Sequence, residues 1–243
     1  MDKISKLKTI INQAKNIVVM TGAGISVPSG IPDFRSSKGL YQTLFHGKFE
    51  PEEILSHQFF FKYPDLFYEY YFEKLTFPNV LPNVAHYTLA RLEAMGIISA
   101  IITQNIDGLH QKAGSKKVIE LHGSIYHNSC VNCQNQFDLE YILKIKDVPY
   151  CKCGGIIKPD VVLYGEPLNQ SNIEEAILSL NKAEVLIIVG TSLMVQPAAS
   201  LIYYFRGQHL IIINQSSTPF DSSADLIIRK PLETVLNESL LIK

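Results

Sequence analysis

Short runs of consecutive apolar residues alternate along this chain with longer stretches in which apolar residues recur every three or four positions. A short continuous apolar run is typical of a strand buried on both faces, whereas the longer spacing is typical of an amphipathic helix. The apolar runs predict strands at residues 16–21, 99–103, 117–121, 184–190, 209–214 and 224–229. Helical spacing occupies residues 84–95, 172–181 and 197–205. This alternation predicts an α/β fold with a parallel sheet that is doubly wound by helices.

Two segments interrupt the alternation, at residues 39–77 and 130–153. The first is crowded with aromatic residues, which we expect to lie on helices packed against the sheet domain: Phe59, Phe60, Phe61, Tyr63, Phe67, Tyr68, Tyr70, Tyr71 and Phe72. The second holds all four cysteines. We therefore predict two domains that are discontinuous in sequence. Residues 1–38, 76–124 and 158–243 form the larger sheet domain, and residues 39–75 and 125–157 form a smaller module with helices and the cysteines.

The composition is that of an ordinary globular protein, with 243 residues, 47% of them hydrophobic, and a formal net charge of −1. This charge gives no electrostatic reason to expect binding to nucleic acid or to an anionic membrane. Lysines interrupt the apolar positions of the N-terminal segment, so we expect no signal peptide there. No apolar run reaches the length of a transmembrane helix. We expect a cytoplasmic protein.

The first predicted strand runs into a glycine-bearing turn. Gly22 and Gly24 would allow a tight turn that approaches a pyrophosphate, which the N-terminus of a following helix would stabilise. The common dinucleotide-binding spacing requires a third glycine where Val27 stands, and residues 36–49 contain no acidic residue to bind a ribose. The turn therefore indicates a nucleotide but disfavours an ordinary dehydrogenase. A turn that merely joins a strand to a helix is the alternative.

The cysteines form two close pairs separated by seventeen residues, Cys130 with Cys133 and Cys151 with Cys153. This arrangement matches a tetrahedral four-thiolate zinc site, although the second pair has one intervening residue where two are commoner. A redox C-x-x-C pair is the alternative, which the second pair disfavours. Because four thiolates leave no open coordination position, we predict one structural zinc ion that takes no part in chemistry.

Polar residues follow two of the predicted strands. Gln104, Asn105 and Asp107 come directly after one strand, and His122 comes directly after the next. The carboxyl ends of parallel strands meet at the edge where such sheets bind ligands. Asn105 offers an amide, Asp107 a carboxylate, and His122 a base that titrates near neutrality. A single histidine after a strand is usually structural, but its coincidence with the other polar residues and the glycine turn favours function.

The motifs occur in an order that resembles one enzyme family. They are GAGISVPSGIPDFR at 22–35, TQNIDGLH at 103–110, LHG at 121–123, the paired cysteines, DVVLYGE at 160–166 and GTSL at 190–193. This ordered set, spread over residues 15–214, resembles the sirtuins, which are NAD-dependent protein-lysine deacylases. The resemblance implies that the larger domain is a Rossmann-like NAD-binding domain and the smaller one a helical and zinc-ribbon module.

The resemblance also implies contacts to NAD, which sirtuins consume as a co-substrate. Around the glycine turn, Gly22, Ala23 and Gly24 would hold the pyrophosphate and Val27 would line the same pocket. Phe34 would cover the nicotinamide ribose, and Arg35 would help to order NAD. The remaining contacts would come from Gln104 and Asn105 to the ribose and a bound water, Ile106 and Asp107 to the carboxamide, and Thr191, Ser192 and Asn214 to the phosphates and adenosine ribose. The last adenine contact is expected near residues 229–232.

The same resemblance assigns the chemistry and the second substrate. The acyl oxygen of an acyl-lysine would attack the ribose and release nicotinamide, and His122 would then act as the general base on the ribose hydroxyls. The products would be free lysine and O-acyl-ADP-ribose. The acyl-lysine protein would bind as an extended peptide by strand addition, with contacts from Val162, Tyr164, Gly165 and Leu193. We expect the enzyme to be a monomer.

One pair of tyrosines bears on which acyl group is removed. Sirtuins that prefer succinyl or malonyl groups carry a tyrosine followed three residues later by an arginine, and here Tyr68 is followed by Tyr71. Without a buried cation, an acyl carboxylate would be desolvated and unpaired, which is costly. We therefore expect deacetylation, and removal of other neutral acyl groups, rather than desuccinylation.

Two further functions fit part of the same evidence. A mono-ADP-ribosyltransferase would use the same NAD site with a different acceptor. A non-enzymatic NAD-binding module would keep the fold and the zinc ion, but the complete QNID sequence and His122 weigh against it.

Overall fold

The computed structural model describes residues 2–37 and 39–237, and its central element is a parallel six-stranded sheet. Its strands are β1 (Ile17–Thr21), β2 (Ile98–Thr103), β3 (Val118–Glu120), β7 (Val185–Val189), β8 (His209–Ile213) and β9 (Leu226–Ile228). Their order is β3-β2-β1-β7-β8-β9, the 3-2-1-4-5-6 order of a dinucleotide-binding sheet. The predicted parallel, doubly wound α/β sheet is confirmed; β2 begins one residue earlier than predicted, and the other five strands are slightly shorter than their predicted ranges.

Alternate residues of each strand point to opposite faces of the sheet, and both faces are covered. From β1, Ile17 and Val19 enter one core, whereas Val18 and Met20 enter the other. Nine α-helices occur in the described chain: α1 (Lys3–Gln13), α2 (Pro51–Ile54), α3 (His57–Lys62), α4 (Pro64–Tyr70), α5 (Val84–Ala94), α6 (Leu109–Lys112), α7 (Leu139–Ile145), α8 (Gln170–Lys182) and α9 (Leu232–Val235). Helices α1 and α5 join the first core and α8 joins the second, which explains why all five residues of β1 are buried.

The helical segment predicted at 197–205 is a 3-10 helix at Ala198–Tyr204. The backbone N–H of Ser200 donates to the Pro197 carbonyl at 3.0 Å, and the Ser200 hydroxyl donates to the same oxygen at 2.7 Å. This local hydrogen bonding competes with the α-helical pattern and explains the tighter helix.

A second, antiparallel sheet has the order β5-β4-β6, from β4 (Gly123–Cys130), β5 (Gln136–Asp138) and β6 (Ile157–Val161). The aromatic segment is helical, as expected, but its packing partner was predicted wrongly. Phe60, Phe67 and Tyr68 share a core with Ile125 and Ile157 of the small sheet, not with the six-stranded sheet. A three-stranded sheet needs a cover for its apolar face, and these helices supply it. The helical segment continues from α4 into one π-helical turn, Tyr71–Leu75.

The domain division proposed from the sequence remains a prediction. The small sheet extends slightly beyond the predicted module, since β4 begins at Gly123 and pairs there with Val161. Within residues 2–37 and 39–237, no helix combines the length and the apolar character required to cross a bilayer.

Candidate active site

The glycine turn after β1 packs directly against the turn after β7. The N–H of Gly22 donates to Val189 O at 3.1 Å, and that of Gly24 donates to Gly190 O at 2.8 Å. A Cβ on Gly24 would lie 2.8 Å from the Gly190 Cα, and one on Gly22 would lie 2.6 Å from the Thr191 Cβ. Glycine is therefore required at both positions by this close approach of two backbones.

The helix expected after this turn is not an α-helix. The chain instead forms two short 3-10 turns, Ala23–Ile25 and Val27–Ser29. Pro28 lies within the second turn, and Gly30 ends it in the left-handed conformation with φ 97°. The backbone N–H groups at this edge of the sheet thus belong to tight turns rather than to a helix N-terminus.

Ser26, which the sequence interpretation missed, joins the glycine turn to the loop after β2. Its buried hydroxyl donates to Asp107 Oδ2 at 2.6 Å and accepts from Asn105 Nδ2 at 3.1 Å. The other oxygen of Asp107 accepts from the Leu109 N–H at 2.9 Å. Burial raises the pKa of Asp107, while the hydrogen bonds from Ser26 and Leu109 oppose that rise. These bonds fix the side chains of Asn105 and Asp107 at the edge of the sheet.

A second layer of hydrogen bonds lies beneath this loop. Asn105 N–H donates to Thr103 Oγ1 at 3.0 Å, and Thr103 Oγ1 accepts from Thr21 Oγ1 at 2.9 Å. The Thr21 hydroxyl also lies 2.9 Å from His110 Nε2. The ring of His110 meets that of His86 at 5.0 Å between centroids, and both histidines are buried.

The two buried histidines predict an acid-dependent loss of stability. Burial lowers the pKa of His86 to about 4 and that of His110 to about 3. As the pH falls through 6.5, the unfolded chain therefore takes up protons that the folded chain does not, and the free energy of unfolding falls. We expect each histidine to contribute roughly 2 kcal/mol of this loss between pH 7 and pH 5. Urea unfolding at the two pH values measures it.

The test variant combines His86→Gln with His110→Gln. The control is His127→Gln, which alters an exposed histidine of β4. The buried pair of substitutions should flatten the pH dependence, and the exposed substitution should leave it unchanged. An equal pH dependence in all three proteins would contradict the assignment.

His122 lies directly after β3, beside the loop that holds Asn105 and Asp107. Its Nδ1 lies 2.9 Å from the carbonyl oxygen of Gln104, which can only accept, so Nδ1 carries the proton and donates. The neutral imidazole then has its lone pair on Nε2. Burial lowers the pKa of His122, and the hydrogen bond to Gln104 opposes that change. The ring is therefore neutral at pH 7 and can accept a proton at Nε2.

The predicted phosphate-contacting residues lie at the same edge. Gln104 Nε2 donates to Thr191 Oγ1 at 3.1 Å, and this oxygen also accepts from the Leu193 N–H at 3.2 Å. Ser192 is half-buried in the same turn. Asn214 follows β8, and its side chain donates to Ser216 O at 2.9 Å. These residues follow the carboxyl ends of three different strands, β2, β7 and β8, which lie at one edge of the parallel sheet.

Arg229, near the expected adenine contact, lies at the far end of this edge. Its guanidinium donates to Asn214 O at 2.8 Å and pairs with Asp221. These two contacts join the segment after β8 to the residue that follows β9.

Residues 33–35, here named the cover segment, are partly exposed. Phe34 is half-buried and packs against the core that the aromatic helices share with the three-stranded sheet, whereas Arg35 is exposed. Val27 is 44% exposed, so its side chain lies at the surface of the turn. Ile106 is half-buried against the same core as Phe34.

The predicted peptide-binding residues occupy two segments. Val162 N–H donates to His122 O at 2.9 Å, which places one segment next to the candidate base. Tyr164 is 39% exposed, and Gly165 has φ 88°. In the other segment Leu193 has φ 55°, and its side chain is buried in the core, so a peptide could not contact that side chain.

The four cysteines converge at the end of β4, where Cys130 lies. All four sulfur atoms lie within 4.8 Å of one another, and the closest pairs are Cys130–Cys153 at 3.4 Å and Cys133–Cys151 at 3.6 Å. Zn–S bonds of about 2.3 Å in a tetrahedron separate the sulfurs by about 3.8 Å. A Cβ on Gly155 would lie 2.8 Å from Cys130 Sγ, so the backbone wraps closely around the sulfurs. This geometry fits the predicted structural zinc ion.

The chain is similar to known proteins in both sequence and structure. The model of the Sir2 family matches residues 22–197. An NAD-dependent protein deacetylase of Clostridium perfringens is 56% identical over 239 residues, covering 98% of each chain. This chain belongs to the Sir2 family.

Solved structures of the Sir2 family extend the similarity to three dimensions. A structure of Sir2 with a p53 peptide and NAD+ has a TM-score of 0.87 and 41% identity, covering 97% of this chain and 96% of the other. A structure of Sir2 with a deacetylated p53 peptide and 3′-O-acetyl ADP ribose has a TM-score of 0.90 and 40% identity, with the same coverage. The resemblance inferred from the ordered motifs is confirmed.

Proposed function

We propose that this Sir2-family protein is an NAD-dependent protein-lysine deacetylase that releases nicotinamide and O-acetyl-ADP-ribose. The observation that carries the proposal is the position of His122, a neutral base beside the loop formed by Gln104, Asn105 and Asp107. Relatives and structural neighbours with this name and these ligands support it.

The residues of the site have separate tasks in this reaction. Ile106 and Asp107 would hold the carboxamide of nicotinamide, and Ser26 keeps the Asp107 carboxylate in place. Gly22, Ala23 and Gly24, with Thr191, Ser192 and Asn214, would hold the phosphates and the adenosine ribose. When bound, NAD would supply the ribose carbon that the acyl oxygen of the lysine attacks, and the bond from that carbon to nicotinamide would break, so that nicotinamide leaves.

His122 would remove a proton from a ribose hydroxyl through Nε2. The hydrogen bond from Nδ1 to Gln104 O fixes the tautomer and the orientation of the ring. Because the ring is already neutral at pH 7, no proton has to leave it before it can act.

The acyl-lysine protein would bind as an extended strand between residues 165–166 and 193–195. Main-chain contacts would supply most of the affinity, so we expect weak preference for flanking sequence. Val162 would contact the lysine nitrogen, and Tyr164 would form a wall of the acyl tunnel. We further infer that the enzyme acts as a cytoplasmic monomer without nucleic acid or membrane partners, in keeping with four reduced cysteines and a near-neutral charge.

The choice of acyl group gives a direct test of this proposal. Tyr68 and Tyr71 are fully buried, and the Tyr71 hydroxyl has no hydrogen-bond partner in the described part of the chain. A phenol in place of a cation leaves an acyl carboxylate without a charge partner. We expect kcat/KM for a succinyl-lysine peptide to be at least about tenfold below that for the acetyl peptide.

A succinamyl-lysine peptide, which has the same size as succinyl without the charge, is the matched control. It should be cleaved faster than the succinyl peptide, and the readout is nicotinamide release. Equal kcat/KM values for succinyl and acetyl peptides would contradict the selectivity. Label from NAD appearing on protein instead of in soluble O-acetyl-ADP-ribose would instead favour ADP-ribosyl transfer.

A further inference from the structure

Two tyrosine hydroxyls join segments that lie 123 residues apart in sequence. The Tyr41 hydroxyl lies 2.7 Å from that of Tyr164, a normal hydrogen-bond distance between two phenols. Tyr41 follows the cover segment, in the 3-10 turn Leu40–Gln42. Tyr164 lies in the segment proposed to bind the peptide. The contact therefore connects the parts of the site assigned to the two substrates.

Tyr41 is fastened to the cover segment through both its backbone and its ring. Its N–H donates to Phe34 O at 2.9 Å, and the Leu40 N–H donates to Asp33 O at 2.8 Å. The Tyr41 ring packs on the ring of Phe34 with 5.4 Å between centroids. The guanidinium carbon of Arg35 lies 5.3 Å from the centroid of the same ring. A shift of Tyr41 must therefore move Phe34, which is predicted to cover the nicotinamide ribose, and Arg35, which is predicted to help order NAD.

The backbone of Tyr164 is held by two hydrogen bonds to residues 55–57. Its N–H donates to Leu55 O at 2.8 Å, and its carbonyl accepts from the His57 N–H at 2.9 Å. Glu166 closes the turn by accepting from the Leu163 N–H at 3.0 Å and pairing with His57 and Lys158. The backbone of this segment is thus fixed, while Tyr164 as a residue is 39% exposed.

We propose that Tyr41 and Tyr164 are positioning residues whose hydroxyl pair couples binding of the acyl-lysine peptide to binding of NAD. The proposal rests on the proposed function for the location of the two substrates. A peptide beside Gly165 restricts the Tyr164 ring, which lowers the entropic cost of the hydrogen bond that holds Tyr41 and the cover segment. By linkage, NAD that orders the cover segment then strengthens peptide binding by the same factor.

The electrostatics of the pair agree with this role. Burial, followed by the hydrogen bond with Tyr164, raises the pKa of the Tyr41 phenol above its usual range. Tyr41 therefore remains protonated at every pH at which the enzyme would operate.

The test is a double-variant cycle of Tyr41→Phe, Tyr164→Phe and the two together. Phenylalanine keeps the ring contacts with Phe34 and Arg35 and removes the hydroxyl alone. Calorimetry with a carbocyclic NAD analogue, whose nicotinamide bond cannot be cleaved, gives its Kd with and without an acetyl-lysine peptide. We expect the peptide to tighten NAD binding in the unaltered protein. Each single variant should reduce that factor about fivefold, and the double variant should reduce it no further.

Tyr87→Phe, which alters an exposed tyrosine on α5, is the matched control and should keep the full coupling. A coupling factor that is unchanged in both Tyr41→Phe and Tyr164→Phe overturns the proposal, as does a double variant whose loss is the sum of the two. If the proposed function itself were wrong, the unaltered protein would fail to bind the peptide or the NAD analogue. The two failures are therefore distinct.

Discussion

Replacing Cys151 by serine is expected to remove the zinc ion and to unfold the core that the aromatic helices share with the three-stranded sheet. Cys151 is buried, and its sulfur lies 3.6 Å from that of Cys133, so a weaker ligand at this position opens the tetrahedron. Structural zinc contributes about 10 kcal/mol or more of binding free energy, as much as the whole stability of many domains. Cys130 and Cys151 also belong to the core that contains Tyr68 and Tyr71. Loss of the metal should therefore release the aromatic packing as well.

Three measurements separate this result from a general loss of folding. Metal analysis should find about one zinc ion per chain in the unaltered protein and less than about a tenth of that in the variant. The near-ultraviolet circular dichroism of the tyrosines should collapse. The far-ultraviolet signal should fall only partly, because the six-stranded sheet has cores of its own.

Lys152→Ser is the matched control, since this exposed residue lies between two of the ligands and leaves all four thiols in place. It should retain zinc and the aromatic signal. An unaltered protein that binds no zinc and forms a Cys130–Cys133 disulfide would instead support the redox alternative.

The sheet could be predicted from the sequence because its strands are buried on both faces. Residues of β1, β7 and β8 form nearly continuous apolar runs, and such runs leave few other structures possible. The cysteine site could be predicted because zinc imposes its own spacing on the chain. The assignments of the other site residues, including His122, come from the order of the motifs and remain predictions.

What the sequence could not show are contacts between residues distant along the chain. In the sequence Ser26 is one of several polar residues in a turn, yet its hydroxyl forms hydrogen bonds with both Asn105 and Asp107. The contact of Tyr41 with Tyr164 likewise has no signal in either local sequence. The partner of the aromatic helices was predicted wrongly for the same reason. Periodicity indicates that a helix face is buried, but does not indicate which sheet buries it.

Replacing His122 by alanine is expected to lower the deacetylation rate by about a thousandfold or more, because general bases contribute 10²–10⁴ to rates of this kind. The substitution removes the Nε2 lone pair and the hydrogen bond to Gln104 O. It keeps the backbone bond from Val162 N–H to the carbonyl of residue 122, so the peptide-binding segment stays in place. The rate is measured as O-acetyl-ADP-ribose formed from an acetyl-lysine peptide.

The step at which the variant fails decides the role of His122. A base that acts on the ribose hydroxyls is needed only after nicotinamide has left. Exchange of labelled nicotinamide into NAD should therefore survive in His122→Ala, while product formation is lost. The control is His127→Ala, which alters an exposed histidine of β4 five residues after His122 and should keep both activities. Loss of exchange and product together, with zinc and folding intact, would show that His122 acts in binding or in the first step. Near-normal product formation would remove His122 from the mechanism.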